Sequence, residues 1–419
     1  MDGDSLSFAY SYGCKNAGDF AINQGSVALL ERTVPEATVT AISRFAAGSE
    51  EFQRMVQKLD SHEQLQLFGG PITYDPPSQS RPQQLVSLLE DGLRYGLDMA
   101  GIADSSRLHS QLYKRIADSE GLLFNGGNAI HYSPSQQRIA YLLAVLYPLQ
   151  LARRSGVPYA LLPQTVFGLE GISKQLVLPI LEDAEFVMTR DAKTFRYLSE
   201  FGLSTPVING IDTAFLNGST SVTATPAADL KRIAVVPRFS TLGDTGNLDE
   251  AGARMEETLF GYLGSLVEGG HKVTLTVQTE IDDRWLDRNR QRLASIGVES
   301  YGSFDPQALR DHYAEIDLLV TMRLHAGIFA LSVGTPVIGI YRPEWGPKME
   351  GTFETLDIEN YALTWEEATE EKLTAVTETA LTDSEALAER IASNVRMRNE
   401  QLVSDFRSAL RAADGFGDD

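Results

Sequence analysis

An arginine and a histidine stand two positions apart in a strongly apolar stretch, at Arg323 and His325. Before them, Leu318 to Thr321 is a short run with β character, and after them Ala326 to Val333 is an apolar run of helical type. Thr335 to Ile340 is again β-branched. The pattern predicts a compact β-α-β unit with a guanidinium and an imidazole at the carboxyl end of a parallel strand. Open α/β sheets bind ligands at that edge.

Three features of this predicted turn suit an anion. A helix N-terminus offers unpaired N–H groups and the positive end of the helix dipole. Arg323 offers a planar fork that can hold phosphate or carboxylate by two hydrogen bonds, and histidine can exchange a proton near neutral pH. A phosphorylated small molecule therefore fits. In the alternative interpretation, Arg323 pairs with a neighbouring acid and His325 only caps or packs.

Two further cations are candidates for the same site. Arg238 follows the predicted strand Arg232 to Val236, so it stands at a strand end just as Arg323 does. Lys348 lies in a polar and aromatic segment, Arg342 to Gly351, which is predicted to be a loop, and can add charge. A lone arginine is more often a surface residue than a ligand.

Asp19 is the candidate carboxylate near the amino terminus. It lies between a predicted strand, Leu6 to Tyr12, and a helical pattern, Ile22 to Leu30. We predict that it caps the helix, and that it can also accept a proton from a sugar hydroxyl at the same sheet edge as Arg323. The loop before it lacks the full dinucleotide-binding glycine pattern, so the sequence does not favour NAD or FAD.

Strands alternate with helices along the chain, which predicts parallel sheets covered by helices on both faces. A length of 419 residues predicts two domains. The segment 218–229, which has almost no large apolar residue, is interpreted as a linker. We therefore predict an α/β protein with a first domain at 1–217 and a second domain at 230–365. Helices at 366–419 are expected to pack back on the first domain.

The remaining local predictions are as follows. Strands are predicted at Thr38 to Ser43, Gly121 to Phe124, Pro158 to Pro163, Phe186 to Thr189, Val207 to Ile208 and Lys272 to Gln278. Helices are predicted at Ile139 to Arg154, Glu256 to Glu268, Asp282 to Ile296 and Pro306 to Ala314. Gly69 to Arg81 is predicted to be a loop, and Tyr301-Gly302 a turn.

Composition excludes several functional classes. The net charge of −21 argues against a nucleic-acid partner, because phosphate backbones are bound by clustered Lys and Arg. The single cysteine, Cys14, excludes an internal disulfide and a cysteine-based zinc site, and fits a reducing compartment. No signal peptide or membrane span is predicted, so a cytoplasmic location is expected. The acidity fits adaptation to high salt and an ordinary acidic enzyme equally well.

The order and spacing of these motifs resemble the polysaccharide pyruvyl transferase family. The similarity extends from Asn16 to about Tyr361, and Arg323-Leu324-His325 with the following AlaLeuSer-x-Gly-x-Pro is its most diagnostic part. The other matching motifs are Asn16-x-Gly18-Asp19, Gly126-Gly127, Pro163-Gln164, Arg190-Asp191, the Asp212 turn, Pro237-Arg238 and Lys348.

The resemblance implies two Rossmann-like domains facing a cleft, as in GT-B glycosyltransferases. It also implies transfer of a pyruvyl group from phosphoenolpyruvate to two hydroxyls of a sugar, which forms a ketal in a polysaccharide or glycan precursor. Phosphoenolpyruvate is then a donor substrate, and neither a cofactor nor a metal is required. A lipid-linked acceptor would place the enzyme at the inner membrane face.

The resemblance also assigns roles. His325 would be the general acid and Asp19 a candidate base. The predicted substrate-binding residues are Arg323, Arg238, Leu324, Lys348, Asn16, Gly18, Gly126, Gly127 and Gln164.

The resemblance makes 1–217 the acceptor-side domain and 230–365 the donor-side domain, and two departures from the family pattern concern the acceptor side. Phe20 replaces a carboxylate that often follows the Gly-Asp of the first loop, and Thr213 replaces a frequent proline. Two alternatives stay open, a GT-B glycosyltransferase that uses a nucleotide sugar and a non-catalytic homologue. The first would need a carboxylate after the donor helix to hold a ribose, and Ala326 to Val333 contains none.

Overall fold

The computed structural model describes residues 5–11, 13–59, 65–70, 80–99, 108–132, 139–218, 231–239, 248–413 and 416. The chain forms two compact units. Unit 1 consists of residues 1–14, 26–213 and 402–419, and unit 2 of residues 15–25 and 214–401. The chain therefore passes from one unit to the other after residues 14, 25, 213 and 401.

Unit 1 is built on a seven-stranded parallel sheet in the order β3-β2-β1-β4-β5-β6-β7. Winding reverses between β1 and β4, so this pair is the switch point of the sheet. Strands β4 and β5 are buried along their whole length, as expected for a sheet covered on both faces. The strands are β1 (Ser5–Ser11), β2 (Thr38–Ser43), β3 (Leu65–Phe68), β4 (Gly121–Phe124), β5 (Tyr159–Gln164), β6 (Val187–Thr189) and β7 (Val207–Asn209).

The helices before residue 214 run between these strands. They are α1 (Ala17–Thr33), α2 (Glu50–Leu59), α3 (Arg81–Met99), α4 (Leu108–Ala117), α5 (Ile139–Ser155), α6 (Gly171–Glu182) and α7 (Ala192–Ser199). Helix α1 begins in unit 2 and ends in unit 1.

Unit 2 contains a six-stranded parallel sheet in the order β10-β9-β8-β11-β12-β13. Its switch point lies between β8 and β11. The strands are β8 (Arg232–Val236), β9 (Lys272–Val277), β10 (Glu299–Gly302), β11 (Leu318–Thr321), β12 (Val337–Tyr341) and β13 (Ala362–Thr364). The helices are α8 (Glu250–Glu268), α9 (Glu280–Ser295), α10 (Pro306–Ala314), α11 (Leu324–Leu331), α12 (Lys348–Thr355), α13 (Glu370–Thr382) and α14 (Ser384–Ala412), whose last residues belong to unit 1.

The predicted fold class is confirmed, because both units are parallel-sheet α/β domains. Four strands, β2, β4, β8 and β11, and helix α10 have the predicted bounds. Two local predictions are wrong. Tyr301 and Gly302 form the end of β10 rather than a turn, and Arg342 to Gly351 is not a loop but contains a 3-10 turn at Pro343–Trp345 and the start of α12. The predicted linker beyond residue 218, and residues 71–79 of the predicted Pro-rich loop, lie outside the described residues.

The domain boundaries at 217 and 230 stay a prediction. The contacts group residues 15–25 with unit 2 and divide α14 at residue 401. No helix in the described part of the chain is both long and apolar enough to span a membrane.

Candidate active site

The carboxyl ends of three neighbouring strands meet at the switch point of unit 2. Arg238 follows β8, Gln278 follows β9 and Arg323 follows β11, and β8 lies between the other two strands. Parallel strands bring such residues to one edge of the sheet, which is the edge where α/β proteins bind ligands. The two arginines predicted to bind the donor therefore flank the switch point.

Arg323 occupies the position before the first residue of α11, and its side chain is held by a buried acid. Its backbone N–H donates to Thr321 Oγ1 at 2.9 Å, and its Nη2 donates to Asp282 Oδ1 at 2.5 Å. Asp282 is 2% exposed. The Nε of Arg323 is buried without a hydrogen-bond partner among the described residues. The guanidinium is thus fixed by one ion pair and retains an unused donor for a ligand oxygen.

Arg238 is held differently. Its guanidinium carbon lies 4.1 Å from the ring centroid of Trp345, a cation–π contact. Within the described residues no carboxylate lies at ion-pair distance from it. Burial, together with the nearby Arg323 guanidinium, lowers the pKa of Arg238 to about 9, and Asp282 partly opposes the shift. Two cations therefore share one carboxylate, which leaves an excess positive charge at this edge.

His325 is the second residue of α11, and its ring rests on a glycine of the amino-terminal segment. A Cβ built on Gly18 would lie 2.5 Å from His325 Cγ and 2.6 Å from His325 Cβ, distances that real Cβ atoms essentially never show. Only a glycine lets the backbone approach the imidazole this closely. The predicted pair Gly18 and His325 is brought together within unit 2.

Residues 15–18 reach this edge because they pair with the end of β9. Asn16 forms an antiparallel bridge with Thr279, and the Ala17 N–H donates to the Gln278 carbonyl at 3.3 Å. Asn16 Oδ1 accepts from the Gly18 N–H at 3.0 Å, so Asn16 caps α1. The prediction that Asp19 is the N-cap is wrong, because the helix begins at Ala17 and Asp19 lies in its first turn.

Leu324 and Lys348 begin two helices of unit 2. Leu324 is the buried first residue of α11, and Lys348 is the partly buried first residue of α12, just after the turn that carries Trp345. Their roles in binding stay predictions. No group of three or more His, Cys, Asp or Glu side chains in the described ranges is placed to hold a metal ion.

Gly126, Gly127 and Gln164 lie in unit 1, where they join the ends of β4 and β5. Gly127 has φ 126°, a conformation that favours glycine, and its N–H donates to the Pro163 carbonyl at 2.9 Å. Gln164 is fully buried, and its side-chain amide donates to the Asn125 carbonyl. These contacts show a structural role for Gly127 and Gln164, and the predicted binding role of all three residues stays untested.

A second family motif in unit 1 is a buried ion pair. Arg190 Nη1 and Asp212 Oδ2 are 2.6 Å apart, and each side chain is 1% exposed. Arg190 Nε donates to Thr165 Oγ1 at 2.7 Å, and Thr165 in turn donates to Asp191 Oδ2 at 2.6 Å. Burial raises the pKa of Asp191, although its hydrogen bonds with Thr165 and Thr194 oppose this. The motif fixes the ends of β5, β6 and β7.

An aromatic pair stands at the same edge of unit 1. The His131 and Phe167 rings stack with centroids 5.0 Å apart and an interplanar angle of 9°, and both side chains are partly exposed. The Tyr132 N–H donates to the Phe167 carbonyl at 3.2 Å, so the loops after β4 and β5 are joined. The sequence analysis did not single out this pair.

The sequence analysis also missed the residues that hold the two arginines. Asp282 was assigned only to a helical pattern and Trp345 only to a loop. A signal for Asp282 exists, since Thr279 caps α9 by accepting from the Asp282 N–H at 3.2 Å, and a threonine three residues before an acid is a helix-start pattern. No local pattern predicts that Trp345 meets Arg238.

The fold is that of GT-B sugar-modifying enzymes. A UDP-N-acetylglucosamine 2-epimerase matches with a TM-score of 0.59 at 13% identity, covering 100% of this chain and 99% of that one. A UDP-glucosyltransferase from Polygonum tinctorium matches with a TM-score of 0.58 at 10% identity, covering 97% and 98%. An O-GlcNAc transferase from Thermobaculum terrenum matches with a TM-score of 0.52 at 12% identity, covering 98% of this chain and 66% of that one. At these identities the likeness concerns the fold alone.

The family follows from the sequence itself. The family model for polysaccharide pyruvyl transferase matches residues 16–343, and the chain belongs to this family. The matched range includes the segment from Asn16 to Gly18, both arginines at the switch point and His325. No curated protein matches the sequence.

Proposed function

We propose that the protein transfers a pyruvyl group from phosphoenolpyruvate to two hydroxyls of a sugar in a polysaccharide or glycan precursor. The observation that carries the proposal is the pair of guanidinium groups, Arg238 and Arg323, which share the single carboxylate of Asp282 at the switch point of unit 2. Phosphoenolpyruvate combines a phosphate and a carboxylate on three carbons. Such a compact polyanion matches a compact excess of positive charge.

The proposed reaction places all bond changes on two carbons of the donor. The methylene carbon takes up a proton, and the adjacent carbon gains positive character. An oxygen of one sugar hydroxyl bonds to that carbon, the bond from the carbon to the phosphate oxygen breaks, and the oxygen of a second hydroxyl closes the ketal. The two hydroxyls lose their protons. One proton is gained by the methyl group, and phosphate carries away the other.

His325 is the proposed proton donor to the methylene carbon, a role worth roughly 10²–10⁴ in rate. It is two residues from Arg323 and its ring is seated against Gly18, so its position relative to the phosphate-binding guanidinium is fixed. Lys348 adds positive charge in this proposal, and Asp19, one residue from Gly18, is the candidate base for an acceptor hydroxyl.

For the acceptor we propose a pyranose that contacts unit 1. The stacked His131 and Phe167 rings support this, because an aromatic face can pack against the C–H face of a sugar ring. Saturation-transfer NMR with methyl pyranosides would test this contact, by comparing the saturation that the sugar protons receive from the wild type and from Phe167→Ala. In Phe167→Ala we expect loss of pyruvyl transfer with phosphoenolpyruvate binding unchanged. Unchanged pyruvyl transfer would contradict the proposal.

The donor is tested by calorimetric titration with phosphoenolpyruvate. We expect saturable binding to the wild type, loss of binding in Arg323→Ala and largely retained binding in His325→Ala. Arg292→Ala is the matched control, since Arg292 is a surface cation of unit 2 paired with Glu257 at 2.6 Å. No binding of phosphoenolpyruvate, with binding of a UDP-sugar instead, would refute the proposal in favour of a nucleotide-sugar glycosyltransferase.

A further inference from the structure

Arg238 differs from the two other arginines at this edge of unit 2 because an aromatic ring holds it without any ion-pair partner among the described residues, whereas Arg342 has both the Trp365 ring, at 4.8 Å, and carboxylates. Arg323 has Asp282 as its ion-pair partner, and Arg342, at the end of β12, has Asp249 at 3.1 Å and Glu344 at 3.4 Å. For Arg238 the described residues provide the Trp345 ring, 4.1 Å from the guanidinium carbon, and no carboxylate.

Trp345 is itself held firmly in place. It ends the 3-10 turn Pro343–Trp345 that directly follows β12, and its N–H donates to the Arg342 carbonyl at 3.0 Å. Its ring packs edge-on against Trp365 with centroids 5.3 Å apart and an interplanar angle of 83°. Trp365 is buried and also lies 6.1 Å from Phe239, the residue after Arg238. The indole is therefore part of a packed aromatic group.

The geometry of a guanidinium gives this contact a consequence for ligand binding. A planar guanidinium has two faces and a rim of N–H donors, and oxygen anions bind the rim. A ring over one face fixes the plane without using any N–H group. The Arg238 backbone is also anchored next to β11, because its N–H donates to Met322 Sδ at 3.4 Å. The rim of Arg238 is thus oriented in advance and stays available for an anion.

We propose that Trp345 is a positioning residue of the donor site, which orients the Arg238 guanidinium for the donor phosphate. The proposal rests on the proposed function, in which Arg238 binds phosphoenolpyruvate. Contact with the guanidinium that binds the donor also makes Trp345 an intrinsic reporter, because indole fluorescence responds to a new charge at this distance.

The experiment titrates phosphoenolpyruvate into the full chain and follows heat and tryptophan fluorescence. We expect Trp345→Ala to raise the Kd for phosphoenolpyruvate about tenfold, because the loss of a desolvated cation–π contact weakens binding by roughly this factor. In Trp345→Phe a smaller aromatic face remains, so most of the affinity should be retained. The fluorescence change on binding should vanish in both variants and persist in Trp285→Phe, the control that removes a buried tryptophan of α9.

The outcomes separate the two proposals. If the wild type does not bind phosphoenolpyruvate, the proposed function is refuted. If the wild type binds and Trp345→Ala binds equally well, the positioning role alone is refuted. Trp345→Leu, which keeps an apolar side chain in the packed group but no aromatic face, replaces Trp345→Ala if that variant fails to fold, and a Kd equal to that of the wild type would again refute the positioning role.

Discussion

Replacement of Gly18 by alanine should uncouple catalysis from donor binding. Gly18 lies in the first turn of α1, and its backbone does not have the positive φ that requires glycine. Alanine is the better helix former there by up to about 1 kcal/mol, so the backbone itself gives no reason for a loss of stability. The added methyl group, however, would lie 2.5 Å from His325 Cγ.

The expected magnitude follows from that distance. Ordinary contacts of a Cβ begin near 3.4 Å, so the imidazole and the helix turn must separate by about 1 Å. A displacement of this size at a reacting group can cost about 10²-fold in rate. The three atoms nearest to the new methyl group all belong to His325, so the affinity for phosphoenolpyruvate, which we assign to Arg238 and Arg323, should change little.

The assay measures phosphate released from phosphoenolpyruvate in the presence of a pyranoside acceptor, with the Kd for the donor measured by calorimetry. Gly264→Ala is the matched control, because Gly264 is a helical glycine of unit 2 whose added Cβ would meet nothing within 4 Å. A Gly18→Ala variant with the kcat of the wild type would show that the position of His325 does not matter for the reaction. Equal losses in both variants would show that the loss is a general effect of replacing a helical glycine and does not come from the imidazole.

Three further predictions concern charge and burial. Because only the protonated guanidinium binds an anion and the pKa of Arg238 is lowered to about 9, the Kd for phosphoenolpyruvate should rise as pH increases through 9; a Kd independent of pH up to 10.5 would contradict this. Arg190→Ala removes the ion-pair partner of the buried Asp212 and should lower the free energy of unfolding by about 3–5 kcal/mol in urea titrations. Arg153→Ala, which removes an exposed ion pair, should lower it by about 0–1 kcal/mol. Equal effects would refute the difference between the buried and the exposed pair. Burial raises the pKa of Cys14 to about 11, so iodoacetamide at pH 8 should label this thiol only after denaturation, as measured by mass spectrometry, and rapid labelling of the folded protein would contradict the burial.

The sequence predicted the parts of the fold that depend on local apolar patterns. Strands β8 and β11 are short, β-branched and fully apolar at their centres, and their bounds were predicted to the residue. The placement of Arg238 and Arg323 at one edge followed from the rule that parallel strands end together. Apart from the predicted loop at Gly69 to Arg81, the region from residue 50 to 117 was not assigned to elements, although α2, α3 and α4 are amphipathic; β3 was missed because it is only four residues long and partly exposed.

The candidate site was predictable only where its residues are close in sequence. Arg323 and His325 were found because one strand-to-helix turn carries both. Asp282 and Trp345 were missed because their contacts are distant in sequence. Asp282 lies 41 positions before Arg323, and Trp345 lies 107 positions after Arg238. The error at Asp19 was of another kind. The apolar pattern begins at Ile22, whereas the helix begins at Ala17, where a hydrogen bond with Asn16 satisfies its first free N–H groups.

The path of the chain through unit 2 has a consequence for recombination. Residues 15–25 include Gly18, against which His325 packs. In the sequence, residues 26–213 of unit 1 separate them from the rest of unit 2. The main part of unit 2, residues 214–401, cut from this chain as one continuous segment would therefore lack Gly18 and Asn16. Exchange of unit 2 between members of the family needs four crossovers, after residues 14, 25, 213 and 401. Substitutions at position 18 and at position 325 should accordingly be coupled among members of the family, because a larger residue at position 18 and a histidine at position 325 exclude each other.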